Sequence, residues 1–176
     1  MTDLGEAPRR ILVIRHGALG DFVLSTGPFR AIRSHHLADT ITLLTTAPFK
    51  ELAKNSRLFN DVWIDSRPGV FAPRKWIALH RRLRDGQFQR VYDLQTSGRS
   101  SFYFRLFGTP KPEWSGIAPG ASHRHINPRR TSMHTLERQR EQLEVSGISH
   151  VPPSNLDWMT GDLAKFPLRR PYALLV

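Results

Sequence analysis

The chain contains no cysteine, which excludes disulfides and thiolate metal sites and makes a reducing, cytoplasmic setting the expectation. It also lacks any apolar run near the ~20 residues needed to cross a bilayer; the longest, "ILVI" and "YALLV", have the length of strands. The first ten residues, "MTDLGEAPRR", place two acids ahead of a basic pair and have no apolar stretch, so they do not read as a secretory signal. Acids are scarce. Fifteen Asp and Glu face 26 Lys and Arg, a net charge of +11, and such a surplus draws polyanions: nucleic acid, anionic lipid headgroups or phosphorylated sugars. The cations are scattered through "PRK", "HRRLR", "SHRH" and "PRR", so charge names a class of partner, and a solvated basic surface accounts for it equally well.

What is present fits a soluble globular protein, 39% hydrophobic and 23% charged over 176 residues, enough for one domain with a sizeable core. Strand-like runs alternate with helical stretches, the signature of parallel βαβ units. Strands are expected at 10–15, 40–46, 61–65, 90–95, 113–117 and 172–176, and helices at 21–36, 48–57, 73–86, 99–108 and 132–147. Pro28 should kink or restart the first helix, because proline cannot supply the donor for the preceding turn. The expected fold is α/β, a Rossmann-like open parallel sheet flanked by helices, over residues 1–150. Residues 151–176 read as a connector and a final strand that either completes this sheet or opens a further domain.

In such a sheet ligands bind beyond the carboxyl ends of the strands, here the loops "HGALGD", "TAPF", "SRPG", "TSGRSS" and "APGASHRHINPRR". The first has Gly17 and Gly20 followed by Asp21. It lacks the third glycine of a dinucleotide fingerprint, and an acid at a helix start repels a pyrophosphate. No G-K-[ST] follows any glycine loop, which excludes a P-loop. Asp21 is thus either a first-turn or capping acid or a carboxylate presented to accept a proton from a substrate hydroxyl. His123, His125 and His134 have no spacing that suits a metal, so they are expected to help bind an anion, and nothing calls for a metal or a cofactor. In "DLQTSGRSS", Gln95, Ser97, Arg99 and Ser100 offer donors for hydroxyls and phosphates, or simply cap a helix.

Three segments, "ILVIRHGALGDFVLSTGPFRAIR", "VYDLQTSGRSSFYFRLFG" and "MHTLERQREQLEVSGI", in this order, resemble the N-terminal half of glycosyltransferase family 9, the bacterial lipopolysaccharide heptosyltransferases. The resemblance implies a GT-B enzyme of two Rossmann-like domains, metal-independent and inverting, in which this part binds the acceptor and a missing one binds the nucleotide sugar, such as ADP-heptose. Asp21 matches the family's general base, in a glycine turn whose Gly17 and Gly20 let the acceptor approach the backbone. Arg67, Gln95, Arg99, Arg130 and His134 match regions lining the acceptor cleft. The implied acceptor is an anionic glycolipid or phosphorylated sugar, met in the cytoplasm or at the inner face of its membrane, with nucleic acid not the expected partner. A part this short is expected to transfer little alone. The other reading is a non-catalytic basic Rossmann-like module for nucleic acid or anionic lipid.

Overall fold

A computed structural model of the chain describes residues 7–159. Within them, in chain order, lie β1 (Arg10–Ile14), α1 (Leu19–Leu24), α2 (Thr26–His35), β2 (Thr40–Thr45), a 3-10 turn (Ala47–Phe49), α3 (Lys50–Asn55), β3 (Asp61–Ile64), α4 (Pro73–Asp85), β4 (Arg90–Asp93), α5 (Gly98–Leu106), β5 (Glu113–Gly116), β6 (His123–Arg124) and α6 (Thr135–Val145). The strands form one sheet in the order β3-β2-β1-β4-β5-β6, parallel at every pairing. This is the Rossmann-like α/β fold expected from the sequence. The strand expected at 172–176 lies outside the described residues.

β1 shows why both faces must be covered. Its side chains alternate between two buried clusters. Ile11 and Val13 join Phe22, Phe29, Ile32 and Leu143 from α1, α2 and α6 on one face. Leu12 and Ile14 join Leu79 and Leu83 of α4 and Tyr103 and Phe104 of α5 on the other. The first helix breaks at Ser25, which separates α1 from α2. The break precedes Pro28, which therefore sits in the first turn of α2, where its missing donor costs no helical hydrogen bond. β6 was not foreseen. It is two residues long and carries no apolar run, and it joins the sheet by pairing Ser115 with His123 and Gly116 with Arg124.

The segment after α6 folds back on the α1–α2 pair. Ser154 donates to the Leu24 carbonyl at 3.1 Å, Val151 packs on the first cluster, and the Pro152 carbonyl lies directly over Gly27.

Candidate functional site

Strand order reverses between β1 and β4, since β2 and β3 lie on one side of β1 and β4 to β6 on the other. The loops leaving β1 and β4 therefore diverge and open a crevice, the usual ligand position in such sheets. A cleft of about 410 Å³ lies there, lined by His16, Gly17, Ala18, Thr46, Phe49, Arg67, Gln95, Ser97 and Arg99. Gly17, Arg67, Gln95 and Arg99, drawn from the three segments that follow β1, β3 and β4, meet in this one space. A larger cavity of about 720 Å³ lies at the amino ends of the strands, between Arg9, Arg84, Phe88, Lys111 and Glu113. Arg9 and Glu113 pair with each other there at 3.3 Å, and the cavity is remote from the loops at which the sheet opens.

Each cleft residue is held by backbone. Gln95 accepts from the His16 amide at 2.9 Å, stitching the β1 and β4 loops together. Arg67 has a left-handed backbone, φ 47°, with its amide donating to Asp65 Oδ1 at 2.7 Å. Arg99 donates to the Pro68 carbonyl at 2.9 Å while its guanidinium lies over the Trp76 ring. Ser97 and Ser100 form a reciprocal capping box on α5, so the capping role stated for them is filled and Ser100 is buried by it. Gly17 is glycine of necessity. Its φ is +118°, and a Cβ there would fall 2.3 Å from the Phe49 ring. Gly20 lies inside α1, with nothing within 4 Å of a built Cβ.

Asp21 sits in the first turn of α1 and is not its cap, which is Ala18. Its side chain is 41% exposed, while its ion-pair partner Arg15, at 3.2 Å, is 2% exposed. Arg15 in turn donates to the Leu94 carbonyl at 2.7 Å. Burial lowers the Arg15 pKa, and the Asp21 carboxylate is the main force opposing that shift; an arginine stays charged regardless. Thr135, at the start of α6, reaches the other Asp21 oxygen at 3.4 Å. A buried cation and a hydroxyl from a second element thus fix a carboxylate whose remaining surface faces solvent.

Beneath the cleft His16 Nε2 lies 3.0 Å from Asp65 Oδ2, which also accepts from the Tyr103 hydroxyl. Burial alone would raise the Asp65 pKa, but hydrogen bonds from His16, Tyr103 and the Arg67 amide outweigh it and the pKa is lowered. Asp93, at the end of β4, is fully buried, and burial pushes its pKa up to about 6 despite the Thr96 amide it accepts from.

Gly20, Asp21, Arg130 and His134 are not part of the cleft lining. His134 caps α6 and accepts from the Leu136 amide at 3.3 Å. Arg130 is half-buried, its pKa lowered by burial, then by Arg138, with Asp93 opposing. His123 contacts Arg90 and buried His125 lies 3.2 Å from Glu141, so the three histidines of the β6–α6 region have three separate partners. Sequence reasoning did not single out Arg15, His16, Asp65 or Thr135. Arg15 read as the last residue of a strand, and only the α1 turn folding back over it creates the ion pair.

No protein-family model and no curated protein sequence matches the chain. Solved structures do. A family 9 glycosyl transferase from Veillonella parvula superposes with a TM-score of 0.69 at 18% identity, over 85% of this chain and 44% of that one. The E. coli ADP-heptose lps heptosyltransferase II gives 0.66 at 14%, over 92% and 51%. E. coli heptosyltransferase WaaC, solved with ADP-2-deoxy-2-fluoro heptose, gives 0.62 at 13%, over 85% and 51%. The fold is shared with family 9 glycosyltransferases. At these identities the likeness is one of fold, and this chain spans about half the length of those glycosyltransferases. Among the described residues no helix is long and apolar enough to cross a membrane.

Proposed function

We propose that the chain is the acceptor-binding part of a metal-independent, inverting glycosyltransferase of the two-domain GT-B kind. The sugar is heptose or a close relative, carried on a nucleotide such as ADP and bound mainly outside this chain. The acceptor is a phosphorylated, lipopolysaccharide-core-like glycolipid. The observation that carries this reading is Asp21, its side chain 41% exposed in the first helical turn after β1 and anchored by buried Arg15, in a fold shared with family 9 glycosyltransferases.

The chemistry follows from that placement. Asp21 accepts the proton of the acceptor hydroxyl as its oxygen forms the new bond to the anomeric carbon, and the nucleoside diphosphate leaves on the opposite face with the bonding electron pair. One displacement inverts the centre. Arg67 and Arg99 in the cleft offer charge-assisted hydrogen bonds to acceptor phosphate or carboxylate, and Gln95 and Ser97 offer groups for sugar hydroxyls. The resemblance to family 9 assigns Gly17, Gly20, Arg130 and His134 to the acceptor side as well, all but Gly17 from outside the cleft lining. The reaction belongs at the cytoplasmic face of a membrane carrying the glycolipid.

The test is glycosyl transfer to a deacylated lipopolysaccharide core by this chain continued through a donor-binding domain. Asp21→Ala is expected to lower the transfer rate by about 10²- to 10⁴-fold, the usual worth of a general base, with acceptor affinity unchanged. Full activity in the variant would remove Asp21 from the mechanism.

A further inference from the structure

The β3–α4 loop ends in a tight turn whose sequence is wrong for a solvent-facing corner. The Ala72 amide donates to the Gly69 carbonyl at 3.1 Å, so Val70 and Phe71 occupy the two central positions, where Gly, Asn, Asp and Ser usually stand. Val70 is 85% exposed and Phe71 99%. The turn is not loosely attached. At its base Trp76 Nε1 donates to the Gly69 carbonyl at 3.0 Å, and Arg99 holds the Pro68 carbonyl. Phe102 packs edge-on against Trp76 and is itself partly exposed, extending the apolar surface at the foot of the turn.

Charge surrounds this tip with one sign. Arg67, Arg74 and Lys75 are exposed beside it, and no Asp or Glu occurs from Ser66 to Arg84. Ile126 and Leu37 are also strongly exposed, but neither has a second large exposed apolar side chain beside it in sequence, and Leu37, in the turn between α2 and β2, lacks the cationic setting as well. It lies at the amino edge of the sheet with Asp39 closing its turn. An apolar tip within a cationic rim is the pattern of a segment that inserts side chains between lipid tails while its cations meet anionic headgroups. The same loop carries Arg67 into the cleft.

We infer that the Gly69–Ala72 turn, with Arg74 and Lys75, docks the protein on an anionic lipid bilayer and sets the cleft against the membrane surface. In purpose this rests on the reading above, since it names the surface by which that site reaches a lipid-borne acceptor. In evidence it stands on the turn alone.

The experiment is co-sedimentation of the full chain with vesicles of phosphatidylglycerol and phosphatidylcholine, and with phosphatidylcholine alone, with no sugar or acceptor present. Wild type binds the anionic vesicles and binds neutral ones far more weakly. The double substitution V70S/F71S weakens binding by about tenfold or more, the worth of withdrawing one large apolar side chain from hydrocarbon. R74E/K75E weakens anionic binding by about tenfold or more through lost headgroup attraction. All four positions are exposed, and matched thermal melts verify that the variants fold. The inference is overturned if wild type ignores anionic vesicles, or if V70S/F71S binds as tightly as wild type, which would assign binding to diffuse charge. It is equally overturned if the tip instead mediates dimerisation, lost in V70S/F71S, without vesicle binding. Because the assay contains no transfer chemistry, Asp21→Ala leaves it unchanged, so each reading can fail without the other.

Discussion

At the scale of single residues, the site is organised by buried polar groups that work through exposed ones. Arg15 never faces solvent, yet it fixes the carboxylate that does. Asp93 has the opposite character. Its folded pKa is raised from 3.8 to about 6 by burial, so between those values the folded chain keeps a proton that the unfolded chain has released. Stability therefore falls as pH rises across that window and is flat with respect to Asp93 above it. Asp65, with a lowered pKa, acts in the contrary sense, losing its contribution as pH falls below 3.8. Asp93→Asn keeps an acceptor for the Thr96 amide and removes the Asp93 slope. Urea unfolding from pH 4 to 7 is expected to show wild type losing about 1–3 kcal/mol relative to the variant; parallel profiles would contradict the assignment. The two glycines of the opening turn divide similarly. Gly17→Ala, at positive φ and against Phe49, is expected to cost roughly 1–3 kcal/mol. Gly20→Ala, within α1 and in open space, is expected to gain up to ~1 kcal/mol in thermal or urea unfolding.

Among elements, the decisive contacts join segments distant in sequence. α2 approaches the segment after α6 so closely that a Cβ at Gly27 would lie 2.3 Å from the Pro152 carbonyl. Gly27→Ala must therefore displace the 152–154 segment, and a loss of about 1–3 kcal/mol is expected, as for overpacked cores. Protease cleavage near Pro152 should rise with it; an unchanged cleavage rate and stability would show that the segment yields freely. These contacts also explain what the sequence made legible. "RILVIR", "TITLLTT" and "RVYDLQ" announced β1, β2 and β4, because buried parallel strands are continuous apolar runs. β6 stayed hidden because pairing, not composition, makes it a strand. The loops that carry Gly17, Gln95 and Arg99 were legible because the carboxyl ends of parallel strands must converge, whereas Arg67 was named only through the resemblance to glycosyltransferase family 9. Arg15, Asp65 and Thr135 were not found, because ion pairs and hydrogen bonds between separate elements leave no local pattern.

For the molecule as a whole, +11 is spread over the surface, so the two readings of its basicity differ in how they respond to salt. Oligonucleotide affinity should fall steeply with salt through counterion release, whereas binding of a phosphorylated glycan within the cleft, made by a few fixed donors, should fall less. The central claim is one of place: the acceptor lies at the carboxyl ends of the strands, where the sheet order reverses. Backbone amide NMR of the chain, titrated with a phosphorylated lipopolysaccharide-core oligosaccharide, tests it most directly. The account predicts shifts at His16 to Asp21, Arg67 and Gln95 to Arg99. Shifts gathered instead around Arg9, Arg84, Gln87 to Gln89 and Lys111, at the larger cavity on the opposite edge, would contradict it.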